Sequence, residues 1–307
     1  MAVPWPGLRL AAVTFAIAEI LADTDGRIAM VADTKLTHYR DETKTRRIYD
    51  HPCLKIVILD DDLAVAFAGD DPDRALKFAA GLRGRSVAEV VEALRQYSAD
   101  KAERDHSKSF LIAKRAPAPQ LWRIRWGEVE TAGRLPRLWI GDPAAFELFQ
   151  RQHQSALLDR PAEFRLLSAM MTLVLFDDIP SVGGYITRVA GDTLHPFRFH
   201  SDPVGTGPWE TEGTIVEHNG EQTLTMRVPP GVDPSRHSRI GVPGRDATFG
   251  AMAFFIPEIT TAWLWTHAQP WEAPIKFSDV RSMYELVRAA EQNHGQLLSP
   301  ARLIRLT

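Results

Sequence analysis

One cysteine, Cys53, among 307 residues leaves no room for an internal disulfide framework or for a zinc site built on several thiolates. Such a chain suits a reducing compartment. No sign of charge dominates either: 36 Lys and Arg stand against 39 Asp and Glu, for a net charge of −3. That balance offers no general attraction to nucleic acid, and the basic run "KTRRIY" reads as solvated surface. Long apolar runs are also missing. The N-terminal "LRLAAVTFAIAEILA" follows Pro4 and Pro6, carries one Arg and is broken by Glu19, which is not the pattern of a secretory signal. "FGAMAFFIPEITTAWLW" is split by Pro257 and Glu258 and falls short of the ~20 apolar residues of a membrane helix. It reads as two buried strands, or as a strand and a short helix. The expectations are a cytoplasmic protein with neither a membrane nor a nucleic-acid partner.

Familiar catalytic signatures are lacking too. There is no G-x-S-x-G elbow, no P-loop and no G-x-G-x-x-G after a strand. The histidines form no H-E-x-x-H; His195 and His200, bracketing "PFRF", read as strand-end or surface residues. Asp60, Asp61 and Asp62 lie between two apolar stretches and read as a hairpin turn rather than a cation site. No cofactor and no metal are expected.

What is present is a succession of hairpins and helix pairs. From Val13 to Leu21 both alternating faces are largely apolar, so this strand is predicted to be covered on both sides. Asp25-Gly26 supplies a tight turn, and "RIAMVAD" returns. "CLKIVIL" and "LAVAFAG" make a second hairpin around the three aspartates. Two helices follow, one with Asp71 as cap and Pro72 in its first turn, the other opened by the capping box of Ser86 and Glu89. Strands in "SFLIAKR", "QLWRIRW" and "RLWIG" precede a second helix pair, "GDPAAFELFQRQ" and "RPAEFRLLSAMMTLVLF", and then strands in "GGYITRVAG" and "PFRFH". This segregated order predicts an α+β protein with sheets stacked between paired helices.

Near residue 200 the character changes, so the chain is divided into a core, 1–200, and a C-terminal α/β extension, 201–307. The extension holds a hairpin around Asn219-Gly220, the Trp-rich run, and a helix predicted from about Ser278 to its stop at Gly295. Trp263, Trp265 and Trp271 read as buried core, with a partner-binding surface as the alternative.

Three residues carry chemistry. An Asp closing "AMVAD" (Asp33) needs a donor or an opposite charge. Lys55, inside an apolar strand, calls for a carboxylate partner or a depressed pKa. Thr14 is either a plain β-branched strand residue or a nucleophile; a Thr hydroxyl needs a nearby base, and one source is the α-amino group of the same residue.

Together these features resemble the N-terminal nucleophile hydrolase superfamily, in particular the β-type peptidase subunits of proteasomes and their bacterial relatives. The ordered set carries the resemblance: Thr14 on the first strand, Asp33-Thr34-Lys35 ending the second, Lys55 opening "LKIVIL", Ala68-Gly69 before the first helix, then "LWIGDPAAFELF" and "SVGGYITRVA". It implies a four-layer αββα sandwich, homo-oligomeric assembly, and a threonine peptidase or amidohydrolase that needs no cofactor. Thr14 would be the nucleophile freed by self-cleavage, Asp33 would orient and balance charge, and Lys55 would lower the hydroxyl's pKa. The chain departs from the pattern in four places. Val13 stands where the family has Gly, the connection "LTHYRDETKTRRIYDHP" is long, Asp142 replaces a Ser after the strand-ending Gly, and the last hundred residues are extra. The alternative is a non-catalytic scaffold or sensor subunit that is never processed, with a protein partner on the C-terminal extension.

Overall fold

Strand β1 (Phe15–Ile20) turns back through Gly26, whose φ of 74° suits glycine, into β2 (Ile28–Asp33). The two pair antiparallel from Ala16↔Ala32 to Ile20↔Ile28. The computed structural model describes residues 14–24, 26–34, 53–69, 72–99, 108–133, 136–155, 160–176, 179, 181–200, 203–205, 213–218, 221–226, 238–243, 252–256, 260–266 and 274–298. A second hairpin joins β3 (Ile56–Asp60) to β4 (Leu63–Gly69), and helices α1 (Pro72–Ala80) and α2 (Val87–Ser98) follow. Strands β5 (Lys108–Lys114), β6 (Gln120–Arg125), β7 (Glu128–Thr131) and β8 (Arg137–Gly141) lead into α3 (Pro143–Ser155) and α4 (Ala162–Phe176). Then come β9 (Ile186–Gly191) and β10 (Arg198–His200).

Two five-stranded antiparallel sheets result, ordered β10-β9-β2-β1-β8 and β3-β4-β5-β6-β7. The two-residue period of each strand decides which side chains meet. The even-numbered residues of β1, β2 and β4 share a single buried cluster with both sheets' inner faces, and many are small: Ala16, Ala18, Ala32, Ala64, Ala66 and Ala68. The odd-numbered ones face helices. Phe15, Ile17 and Val31 pack with Phe149, Leu166 and Met170 of α3 and α4, while Val65 and Phe67, joined by Phe110 and Ile112 of β5, pack with Leu76, Val90 and Leu94 of α1 and α2. Each such large side chain contributes about 1.5–3 kcal/mol on burial. The molecule is α+β, with antiparallel sheets and five helices among the described residues.

Beyond residue 200 the chain adds β11 (Pro203–Gly205), a hairpin of β12 (Gly213–His218) and β13 (Glu221–Met226), β14 (Ser238–Pro243), β15 (Met252–Ile256), β16 (Thr261–Trp265), β17 (Ile275–Phe277) and helix α5 (Met283–His294). A third antiparallel sheet runs β11-β14-β15-β16-β17. One face of β15 and β16, with Met252, Phe254, Trp263 and Trp265, belongs to the same buried cluster as the two main sheets. The other face, with Ala253, Phe255, Ala262 and Leu264, is covered by Met283, Leu286 and Ala290 of α5.

Several sequence expectations are met in detail. Ser86 and Glu89 form the capping box, Gly295 ends α5 at φ 62°, and the Trp-rich run resolves into two strands. Others need correction. Helix α5 begins after Ser282, not near Ser278, because Ile275–Phe277 is edge strand β17 and Asp279 takes a positive φ of 62°. Strand β7, exposed at every residue, was not anticipated, since it has no apolar face to read. Trp263 and Trp265, 2% and 1% exposed, are the buried core expected of them, and it is the alternative partner-surface reading that falls for these two. The caps and turns assigned to Asp71, Asn219 and Gly220, and the side chain of Trp271, lie outside the described residues, as do residues 1–13. Among the described residues no helix is long and apolar enough to cross a membrane.

Candidate functional site

The C-terminal end of β2, the residue before β3, and the loop before β9 meet beside the start of β1. Asp33 closes β2 opposite Ile186 of β9 and is completely buried. Its Oδ1 accepts from Lys55 Nζ at 2.9 Å and from the Phe15 amide at 3.0 Å; its Oδ2 accepts from the Gly183 amide at 3.2 Å. Lys55, 1% exposed, is fixed in turn by its own carbonyl, which accepts the Phe67 amide. The neighbouring Thr34 binds three segments together. Its amide donates to Gly183 O, its carbonyl accepts from the Cys53 amide, and its Oγ1 accepts from the Tyr185 amide at 2.7 Å.

Thr14 stands one residue before the amide that Asp33 holds, and it is 2% exposed. Its carbonyl accepts from the Asp142 amide at 3.0 Å. That contact needs Gly141, at φ 104°: a Cβ there would sit 1.8 Å from the Thr14 oxygen. Asp142 caps α3, its Oδ1 accepting from the Ala144 amide, while its Oδ2 accepts from Ser181 Oγ at 2.5 Å. Thus the predicted residues do gather. Asp33 and Lys55 are in direct contact, and Thr14 adjoins the peptide group that Asp33 grips. Sequence reasoning missed Ser181 and Gly183, whose role depends on contacts across 39 and 150 residues. Gly141 was legible only as the end of a strand.

Burial pushes the Asp33 carboxyl above its ordinary pKa, and the Lys55 ammonium opposes this, aided by the Phe15 and Gly183 amides. With one carboxylate oxygen shared by an ammonium and an amide, the site is a charge-balanced buried pair. Removing one partner from such a pair is far costlier than removing both. Cys53, two residues before Lys55, is buried and its thiol is pushed up to about 12, mainly by that burial, so it offers no thiolate at neutral pH.

Other charged groups serve the frame. Arg115 ties Asp62 and Asp61 at the β3–β4 turn to Asp192 and Thr193 at the β9–β10 turn. A pocket of about 470 Å³ lies against that turn, at the end of β3 remote from Lys55, lined by both acidic and basic residues. His195 pairs with Asp192 on the surface, and among the described residues no cluster could hold a metal ion. On the helix side of β1, Glu19 receives Arg137, which also donates to His153 Nε2 at 2.9 Å.

No family model matches the sequence, and no curated protein matches it. Among solved structures, the crystal structure of eukaryotic HslV from Trypanosoma brucei is similar over 57% of this chain and 98% of its own, with 17% identity and a TM-score of 0.44.

Proposed function

We propose that this chain is an N-terminal-nucleophile hydrolase acting on amide or peptide bonds, with Thr14 as nucleophile and the four-layer αββα arrangement of that superfamily. The observation that carries the reading is Asp33, which binds Lys55 Nζ and the Phe15 amide through a single oxygen. The ammonium balances a buried carboxylate, and a hydroxyl that must ionise beside the pair would gain from the same positive charge.

The chemistry would begin on the chain itself. Thr14 Oγ attacks the Val13 carbonyl, and the acyl group passes from nitrogen to oxygen as an ester. Water then cleaves that ester, releasing residues 1–13 and a free α-amine at Thr14. With a reference pKa of about 8, the amine takes the hydroxyl proton in each later cycle. The hydroxyl oxygen attacks the substrate carbonyl, the proton goes to the leaving amine, and water hydrolyses the resulting ester. Lys55 favours the ionising hydroxyl, Asp33 keeps Lys55 charged and in place, and backbone N–H groups stabilise the oxyanion. No cofactor enters any step. Assembly as a cytoplasmic homo-oligomer is part of the same proposal.

A second reading has its own support: Thr14 is 2% exposed in the intact chain, where an external amide does not reach it. On that reading the chain is an unprocessed scaffold or sensor. Intact-mass measurement separates the two. The hydrolase reading expects loss of Met1 to Val13 on incubation, abolished by Thr14→Ala; a chain that stays at full mass overturns it.

A further inference from the structure

Tyr185 links the third sheet to the site. Tyr185, 1% exposed, stacks on Phe254 of β15 with ring centroids 4.6 Å apart and planes 19° from parallel, and it lies against Trp263 of β16 at 5.7 Å. The same residue's amide donates to Thr34 Oγ1, and Gly183, two residues earlier, donates to Asp33 Oδ2. Both glycines between, Gly183 and Gly184, take positive φ values of 157° and 78°, so this stretch has little conformational preference of its own. Its position must come from what it touches. On one side it touches Asp33 and Thr34; on the other, the aromatic face of β15 and β16.

We infer that Tyr185 is a positioning residue that makes the Asp33 site depend on the C-terminal sheet. Docking of Phe254 and Trp263 on the Tyr185 ring fixes the 183–185 backbone, and that backbone supplies the second anchor of the Asp33 carboxylate. Without it, Asp33 keeps Lys55 and Phe15 on Oδ1 but loses the Gly183 amide on Oδ2, and the carboxylate can rotate away from Thr14. The C-terminal sheet is on this view a structural part of the site. The catalytic meaning of the coupling rests on the hydrolase reading; the coupling itself does not.

The test compares Phe254→Ala with Phe255→Ala in the full-length chain. Phe255 is the next residue of the same strand but belongs to the opposite cluster, under α5. Both variants remove a buried ring from the sheet, and one of them touches Tyr185. Amide hydrogen exchange is followed by mass spectrometry on a peptide spanning 181–190, with a β1–β2 peptide as reference. The inference expects exchange in 181–190 to rise at least tenfold in Phe254→Ala, to stay within twofold in Phe255→Ala, and to be restored by Phe254→Tyr. Self-cleavage, read by intact mass, should slow at least tenfold in Phe254→Ala alone. Equal exchange in the two variants, or none above wild type in Phe254→Ala, overturns the inference. Should Phe254→Ala fail to fold, Phe254→Leu, which keeps bulk and loses the stack, decides on the same criteria. A wild-type chain that never cleaves sinks the hydrolase reading, while exchange still decides the coupling.

Discussion

Gly141→Ala should be among the most damaging single-methyl changes in the molecule. The added Cβ would stand 1.8 Å from the Thr14 carbonyl oxygen and 2.7 Å from its carbonyl carbon, both backbone atoms that cannot swing aside. Gly141 also holds φ at 104°, where an L-residue is strained by about 1–3 kcal/mol. Relief of the clash must separate β1 from β8 at the Phe15↔Gly141 pair and break the Asp142 amide's bond to Thr14 O. A Thr14 carbonyl left buried without its donor costs a further ~1–3 kcal/mol. The expected loss is about 3–5 kcal/mol. With a urea m-value of about 3 kcal/mol/M for a chain of this size, the midpoint should fall by about 1–1.7 M. Gly84→Ala is the control: its φ is also positive, at 76°, but nothing lies within 4 Å of the added carbon. It should cost about 1 kcal/mol, from backbone strain alone. A Gly141→Ala midpoint no lower than that of Gly84→Ala would refute the proposed close approach of β8 to Thr14.

Lys55→Met should cost about 3–5 kcal/mol by urea unfolding, because it leaves the Asp33 carboxyl buried without its ammonium partner. Adding Asp33→Asn should recover most of that loss; a double variant as unstable as the sum of the singles contradicts a charge-balanced pair. His153 provides a pH signature, its pKa lowered to about 4 by burial first and by Arg137 and Arg165 next. A depressed basic group binds fewer protons folded than unfolded, so its stability contribution is full above about 6.5 and is lost as pH falls towards 4, by up to about 3 kcal/mol. Glu19 beside it is shifted upward by burial and works in the opposite sense, favouring the fold at low pH. The stability of wild type relative to His153→Leu should therefore fall as pH drops from about 6.5 to 4, whatever the gap at neutral pH, and a constant gap across that range removes the titration argument.

Much of this was legible because the strands have two apolar faces and the charges among them do not belong. Asp33 and Lys55 stood out as costly unless paired, and they are paired with each other. Alternation along β1 and β2 separated the alanine-rich inner face from the Phe15 and Ile17 face that meets the helices. Ser282 with Glu285 three residues on was a readable helix start; the apolar spacing of Val280 with Met283 pulled the expected boundary too early. The loop at Ser181 to Tyr185 carried no local signal. Its glycines are useful only because Asp33, 150 residues away from Gly183, needs an amide there, and that demand arises once the sheets have closed.

Burial of the three residues bears differently on the two reactions a Thr14 nucleophile would perform. Self-cleavage brings its own substrate: the Val13 carbonyl is covalently next to Thr14, so no access from solvent is required beyond one water. Intramolecular positioning of that kind is equivalent to a reactant at about 10⁵–10⁸ M. Hydrolysis of an external amide has no such help and must find a hydroxyl that is 2% exposed before processing. The first reaction is therefore compatible with the closed site, and the second requires Thr14 to become accessible after the bond to Val13 is cut. A chain that loses those residues and then turns over no amide would separate the reactions at this point. Its lesion would lie in access to Thr14, and not in Asp33 or Lys55, whose geometry self-cleavage would already have exercised.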